Sequence, residues 1–219
     1  MTKHFLLYGG GLDSTALLVY LIKAQGVDPS QLELIHVNYG QKAVIPEAEA
    51  AFYFTAKYRL KVTRLTCDLG FSTSSIMCGS DLGVDKQDNR LELRNLVLIS
   101  MAASYIASTN FEGDSHLYLG FHREPVDAPF PDARTEYLEP LQEALYRSTG
   151  AKVTLETPFA NLTRLEILQQ YLHYDEDILT RSYTCYEEVE CGECVHCQEK
   201  KLLIQRLLPY PSTYQGDTQ

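Results

Sequence analysis

Two residue clusters in this chain have the types and spacing needed for chemistry. The first is Gly9-Gly10-Gly11-Leu12-Asp13-Ser14-Thr15. Consecutive glycines let a backbone turn tightly and aim its N–H groups at an anion. Ser14 and Thr15 add hydroxyl donors where a helix would begin, and a helix N-terminus favours phosphate. Asp13 adds a carboxylate suited to Mg²⁺, which binds through few carboxylates plus substrate phosphates. No Lys follows the glycines, so the run is not the usual ATPase P-loop. Ser14 stands at the third-glycine position of G-x-G-x-x-G, so it is not the dinucleotide fingerprint either. The plainer alternative is a strand-to-helix glycine turn capped by Asp and Ser.

The second cluster is Cys185, Cys191, Cys194 and Cys197, spaced C-x5-C-x2-C-x2-C with Gly192 between ligands. Four thiolates match tetrahedral Zn²⁺ and leave no position open for water, which predicts a structural metal. At this level His196 is an alternative ligand for one Cys, and disulfide pairing and an iron–sulfur cluster are alternative states of the four thiols. Glu187, Glu188, Glu190 and Glu193 around the knuckle oppose a phosphate-gripping role. Cys67 and Cys78 lie apart and read as free thiols.

Positioning these clusters requires a scaffold, and apolar runs alternate with helical patterns. Strands are predicted at Phe5–Tyr8, Leu32–Val37, Val62–Thr66, Leu117–Gly120 and Val153–Leu155. Helices are predicted at Ser14–Ala24, Pro46–Tyr58, Arg94–Ser108, Thr135–Ser148, Thr163–Tyr171 and Gln198–Leu208. Pro46 suits the first helical position, and Thr163 with Glu166 has capping-box spacing. Such alternation implies a parallel sheet covered on both faces, with ligands at the carboxyl ends of its strands. The glycine run lies at such an end. Residues 68–90 are polar and glycine-containing, a length that marks either a lid or a passive loop. Residues 209–219 read as a flexible tail.

The 219 residues, 45% hydrophobic, suffice for one sizeable core and a small appendage. A net charge of −10 disfavours extensive nucleic-acid contact. No apolar run reaches the length of a membrane span, and the N-terminus has no signal-peptide pattern. The expectation is a cytoplasmic protein.

The glycine run resembles the S-G-G-x-D-S pyrophosphate loop of the ATP pyrophosphatases (PP-loop enzymes), with Gly9 in place of the first Ser. Together with the cysteine cluster, the chain resembles the 7-cyano-7-deazaguanine synthase family, the QueC-like enzymes. Asn38-Tyr39-Gly40-Gln41-Lys42 is similar to the family's D-Y-G-Q-R segment. Arg94-Asn95 is similar to the end of P-x-R-N, and Pro131-Asp132-Ala133-Arg134 to Y-P-D-C-R. Glu156-Thr157-Pro158 followed by Leu162-Thr163 is similar to E-T-P-L…L-T. Thr184-Cys185-Tyr186 and Cys191-Gly192-Glu193-Cys194 are similar to S-C-Y…C-G-x-C. The departures are Gly9 for Ser, Asn38 for Asp, Glu92 for Pro, His122 for Asn and Ala133 for Cys.

The resemblance implies an adenine-nucleotide α-hydrolase-like (HUP) α/β fold, a doubly wound parallel sheet with a small C-terminal zinc-binding subdomain. The implied division is a PP-loop domain over 1–180, a zinc knuckle and closing helix over 181–208, and the tail. It implies an ATP-dependent C–N ligase that adenylates 7-carboxy-7-deazaguanine, forms the amide with ammonia and dehydrates it to the nitrile, releasing AMP and pyrophosphate. The cofactors would be ATP, Mg²⁺ and structural Zn²⁺. Asp13, Ser14 and Arg94 would be catalytic. Gly9, Gly10, Gly11, Leu12, Asp13, Ser14, Thr15, Gln41 and Lys42 would bind nucleotide, and Arg94, Asn95, Asp132 and Arg134 would bind substrate. Partners would be a 7-deazaguanine-type small molecule, ammonia or another amine, and a second copy in a homodimer. Alternatives are a divergent ligase, one setting being antiviral defence, that passes the acyl group to a protein or small-molecule amine; a catalytically weak nucleotide-binding partner protein; and tRNA thiolation, which the acidic balance disfavours.

Overall fold

Alternate residues of a strand face opposite sides, and the central strands use both faces for apolar packing. In β1 (Thr2–Leu7), Leu6 joins one hydrophobic cluster and Phe5 the other. Leu34 and Ile35 divide in the same way in β2 (Leu32–Asn38). With β3 (Lys61–Thr66), β4 (Asp114–Tyr118) and β5 (Val153–Glu156) they form a five-stranded sheet of order β3-β2-β1-β4-β5, parallel at every pairing. The computed structural model describes residues 2–70, 91, 93–109, 111–123, 132, 134–150 and 152–208. Expectations for the stretch 71–90 with its Cys78, for Glu92, Pro131 and Ala133, and for the tail 209–219 lie outside those residues.

Helices cover both faces, as a wholly parallel sheet demands. The Leu6 side receives apolar residues from α1 (Leu12–Val19), α2 (Val44–Tyr58), α5 (Arg164–Tyr171), α6 (Asp177–Thr180) and α7 (Val195–Leu207). The Phe5 side receives α3 (Arg94–Ser108) and α4 (Thr135–Ser148). Leu203 of α7 packs in the same cluster as Leu6, so the last helix shares the core of the sheet.

Several boundaries differ from the sequence reading. The first helix is α-helical only to Val19 and continues as a π-helix over Tyr20–Ala24, ending before Gly26 at φ +70°. The second begins at Val44, two residues before Pro46. Pro46 still costs no hydrogen bond, because the N–H groups of the whole first turn lack intrahelical partners. The last begins three residues early, capped by Cys194. β4 stops at Tyr118, yet the Leu119 N–H still donates to the Glu156 carbonyl, so Gly120 leaves the sheet edge under control. Thr163 caps α5 as expected, in a complete capping box with Glu166.

Strand order reverses beside β1, where the chain departs to β2 and β3 and later returns on the other side as β4 and β5. Strands diverging in opposite directions leave a crevice at their carboxyl ends. Two glycines shape its walls. Gly10 has φ +76°, and a Cβ there would lie 2.5 Å from the Glu47 carbonyl oxygen. A Cβ on Gly120 would lie 3.0 Å from the Ser14 nitrogen, so the loop after β4 closes on the first turn of α1.

One charge in the sheet is buried on purpose. Glu33 of β2 is 1% exposed and accepts hydrogen bonds from Thr63 Oγ1 and Tyr105 OH, both 2.6 Å, with Lys3 Nζ at 3.1 Å. Burial opposes its ionisation, but the Thr63, Tyr105, Lys61 and Lys3 bonds prevail and hold its pKa near 2. A folded-state pKa below the unfolded value gives stability that is present above the unfolded carboxylate pKa and lost as pH falls toward 2. Glu33→Gln is expected to destabilise the fold by about 1–3 kcal/mol at neutral pH. In denaturant titrations, that difference from the unaltered protein shrinks as pH falls from about 5 toward 2. A pH-independent difference would contradict it.

Candidate active site and metal centre

The crevice holds a cavity of about 320 Å³. Gly9, Gly11, Asp13 and Ser14 from the glycine run line it, as do Arg94 and Asn95 from the start of α3. These residues come from segments some eighty positions apart, and the topology brings them together as the sequence reading required. Asn95 Oδ1 accepts from the Arg94 guanidinium at 3.3 Å. Burial opposes the charge on Arg94, but Tyr39, Tyr186 and Asp132 outweigh it and raise its pKa.

Asp13 points at a residue that local patterns did not single out. Arg164, the first residue of α5, donates from Nε and Nη2 to its two carboxylate oxygens, each at 2.8 Å. Arg164 also donates to Glu199 of α7. His122, after β4, places Nδ1 3.8 Å from Asp13 Oδ1. Burial would raise the pKa of Asp13, but Arg164, by charge and hydrogen bonding, holds it near 2. A carboxylate offers about four lone-pair positions, and a bidentate guanidinium takes two of them. Asp13 is thus fully ionised at neutral pH and retains acceptor capacity toward a metal ion.

Other expected residues stand elsewhere. Thr15 is fully buried, and its hydroxyl bonds Tyr8 OH at 3.0 Å while its N–H donates to Gly11 O. Helical geometry turns position 15 into the core, so the expectation of a Thr15 hydroxyl donor to phosphate is corrected. Leu12 is likewise a core side chain. Gln41 is buried behind the cavity. Its Oε1 accepts from Tyr39 N–H, and its Nε2 donates to Glu47 Oε2 at 2.7 Å, so its amide builds the turn and holds Glu47. Lys42 Nζ lies 3.4 Å from Glu187 and ties this turn to the cysteine segment. Asp132 acts on Arg94 through its charge, while Arg134 is an exposed residue preceding α4; neither lines the cavity.

Glu47 lines the cavity from the first turn of α2. Burial raises its pKa to about 7, against the Gln41 hydrogen bond and the Arg94 charge. A second cavity of about 170 Å³ lies toward the cysteines, and Gly11, Asp13, Glu47, Arg164, Tyr186 and His196 belong to both linings.

The four cysteines converge, with all sulfurs within 4.8 Å of one another. Cys185 and Cys191 sulfurs are 3.6 Å apart. A tetrahedral zinc with Zn–S bonds of about 2.3 Å needs sulfurs about 3.8 Å apart, so the set fits this ion. Gly192 takes φ +73° in the knuckle, and the N–H groups of Glu187 and Cys191 donate to Cys185 Sγ at 3.4 Å. His196 is not part of the cluster. Its ring meets Tyr186 edge-on at 4.9 Å and lines both cavities, so the Cys₄ set is chosen over the His alternative. Cys67 is a free thiol. Among the described residues, no helix is long and apolar enough to cross a membrane.

A family model described as queuosine biosynthesis protein QueC matches residues 3–205. The chain belongs to the QueC family. Relatives of this QueC chain include three proteins named 7-cyano-7-deazaguanine synthase. That of Methanothrix thermoacetophila is 27% identical, covering 98% of this chain and all of the relative. That of Magnetococcus marinus is 28% identical over 96% of each chain, and that of Caldicellulosiruptor bescii is 28% identical over 90% of each. In this QueC chain, Arg164 was concealed by the capping box around it. The signal that could have found Glu47 is an acidic residue in the first helical turn after Gln41, where a helix start faces the glycine run.

Proposed function

We propose that the protein is a 7-cyano-7-deazaguanine synthase. It joins the carboxylate of 7-carboxy-7-deazaguanine to the α-phosphorus of ATP with loss of pyrophosphate, replaces AMP by ammonia to give the amide, and uses a second ATP to activate the amide oxygen for loss as AMP. The carrying observation is the meeting of the glycine run, Arg94 and Asn95 in one cavity at the switch point of a QueC-family sheet. The backbone of Gly9–Gly11 and the N-terminus of α1 would receive the pyrophosphate. Ser14, whose hydroxyl now donates to the Gly11 carbonyl at 3.1 Å, would complete that cradle. Arg94 would hold the substrate carboxylate or the departing phosphates in a bidentate fork. Asp132, adjoining Arg94 electrostatically, would accept from the guanine-like N–H edge. Mg²⁺, when bound, would neutralise charge on the leaving pyrophosphate, and Asp13 is the residue suited to hold it. Zinc, when bound to the four cysteines, would be structural. The use of ATP and a free small acid suits a cytoplasmic enzyme, with residues 181–208 as its zinc-binding part.

The test is mass spectrometry of products from ATP, ammonia and 7-carboxy-7-deazaguanine. The expected products are AMP, pyrophosphate, the amide and the nitrile. ADP with phosphate, or no modified deazaguanine, would refute the assignment. A benzoate-like acid lacking the polar edge should be activated worse by about 10⁴-fold, since its groups leave buried polar partners unmatched.

A further inference from the structure

The larger cavity gathers the glycine run, Arg94 and Asn95, on which the nucleotide and acid reading rests, yet amide formation also needs a place for the nitrogen nucleophile. The smaller cavity is of the right scale for one. Its volume of about 170 Å³ lies below that of drug-sized ligand sites, which begin near 300 Å³. It opens on the same wall as the larger one. Glu47 stands in that wall, held by Gln41 at 2.7 Å and facing both spaces. Asp13, Arg164, Tyr186 and His196 are the titratable or charged groups that share both linings with Glu47; Arg94 and His122 stand in the larger cavity alone, and Tyr183, Cys185, Glu199 and Lys200 in the smaller one alone.

A second, independent observation concerns Thr184. It lines the smaller cavity, and its Oγ1 is buried with no hydrogen-bond partner. Buried hydroxyls are normally paired, and an unpaired one in the wall of a cavity can be satisfied by a small polar ligand after a slight rotation. A hydroxyl accepts from an N–H donor as readily as it donates. A carboxylate and a hydroxyl together suit a small cationic amine.

We propose that the smaller cavity receives ammonium or a small primary amine, and that Glu47 is the base which takes its proton. This rests on the ligase reading above. The Glu47 carboxylate removes one proton from ammonium and frees the nitrogen lone pair. That pair forms the C–N bond to the acyl carbon while the C–O bond to AMP breaks, its electrons leaving on the phosphate oxygen. The second surplus nitrogen proton passes to water. A carboxyl whose pKa is near neutrality is suited to accept and release the proton in each turnover.

Hydroxylamine separates this role from a structural one, because it is already neutral at pH 7 and needs no base to expose its lone pair. The measurement is kcat/KM for ammonium chloride and for hydroxylamine, with ATP and 7-carboxy-7-deazaguanine saturating. Glu47→Gln keeps the side-chain shape and the acceptor for Gln41. It is expected to lower kcat/KM for ammonium by about 100-fold or more, and that for hydroxylamine by less than about 10-fold. Equal losses with both nucleophiles, or no loss with ammonium, would overturn the assignment of Glu47. Thr184→Val is expected to raise KM for ammonium more than it lowers kcat, and an unaltered KM would overturn the location. Failure of the unaltered protein to form either amide or hydroxamate would instead overturn the ligase reading, and this inference with it; amide without hydroxamate would overturn the assignment of the smaller cavity to small primary amines.

Discussion

Asp13→Asn is expected to lower AMP and pyrophosphate formation by about 10³-fold, the scale of losing one preorganised electrostatic contact to a developing charge. The carboxylate sits at the start of α1, in the cavity lined by the glycine run, with both oxygens on Arg164. Asn retains one acceptor for Arg164 and removes the negative charge that a metal ion would need. Asp13→Ala is the poorer variant, because it leaves the guanidinium of Arg164, 15% exposed, without its main partner. Arg164 would keep Glu199 and Asp13 is 24% exposed, so the loss should fall below the about 3–5 kcal/mol of a fully buried pair, yet it would mix loss of folding with loss of chemistry. Circular dichroism and a thermal melt of Asp13→Asn separate the two. Turnover within a few-fold of the unaltered protein would remove Asp13 from the catalytic residues. Because Arg164 holds its pKa near 2, the contribution of ionised Asp13 is complete at neutral pH and is lost only as pH falls toward 2. Any acid limb of activity nearer neutrality should therefore survive in measurements that saturate the Asp13 site with metal.

Metal removal has the other large expected effect. Elemental analysis should find about one zinc per chain, and Cys185→Ser or strong chelation should abolish cooperative melting of the C-terminal part. Structural zinc supplies about 10–16 kcal/mol in small knuckles, comparable with the whole stability of a domain. The damage should reach the active site through α7. That helix follows directly on Cys194, buries Leu203 in the main core, and carries Glu199, which bonds Arg164, which bonds Asp13. Iron with sulfide in place of zinc, or an unchanged melt for Cys185→Ser, would be the contrary result.

The element types were readable from the chain because their causes are local. Alternating apolar runs fix strands, Thr163 with Glu166 fixes a helix start, and Gly10 and Gly192 permit left-handed turns where no Cβ is tolerated or favoured. The spacing of Cys185, Cys191, Cys194 and Cys197 was enough to predict their convergence, since a knuckle this short has few ways to fold. Site chemistry was less legible, because it depends on which way a side chain turns. Thr15 and Gln41 sit in the right segments, yet helix phase and turn geometry point them into the core.

Only the tertiary fold brought Arg164 to Asp13 across 151 positions, and no local pattern marks a partner at that distance. The sheet order did this by setting α5 beside α1, while the switch between β1 and β4 opened the crevice both face. The pKa of Glu47 has the same origin, because a carboxyl is displaced toward neutrality by what surrounds it in space. Residue types and short spacings determined what chemistry the chain could carry. Long-range packing decided which of those residues meet, which are turned away, and which are charged.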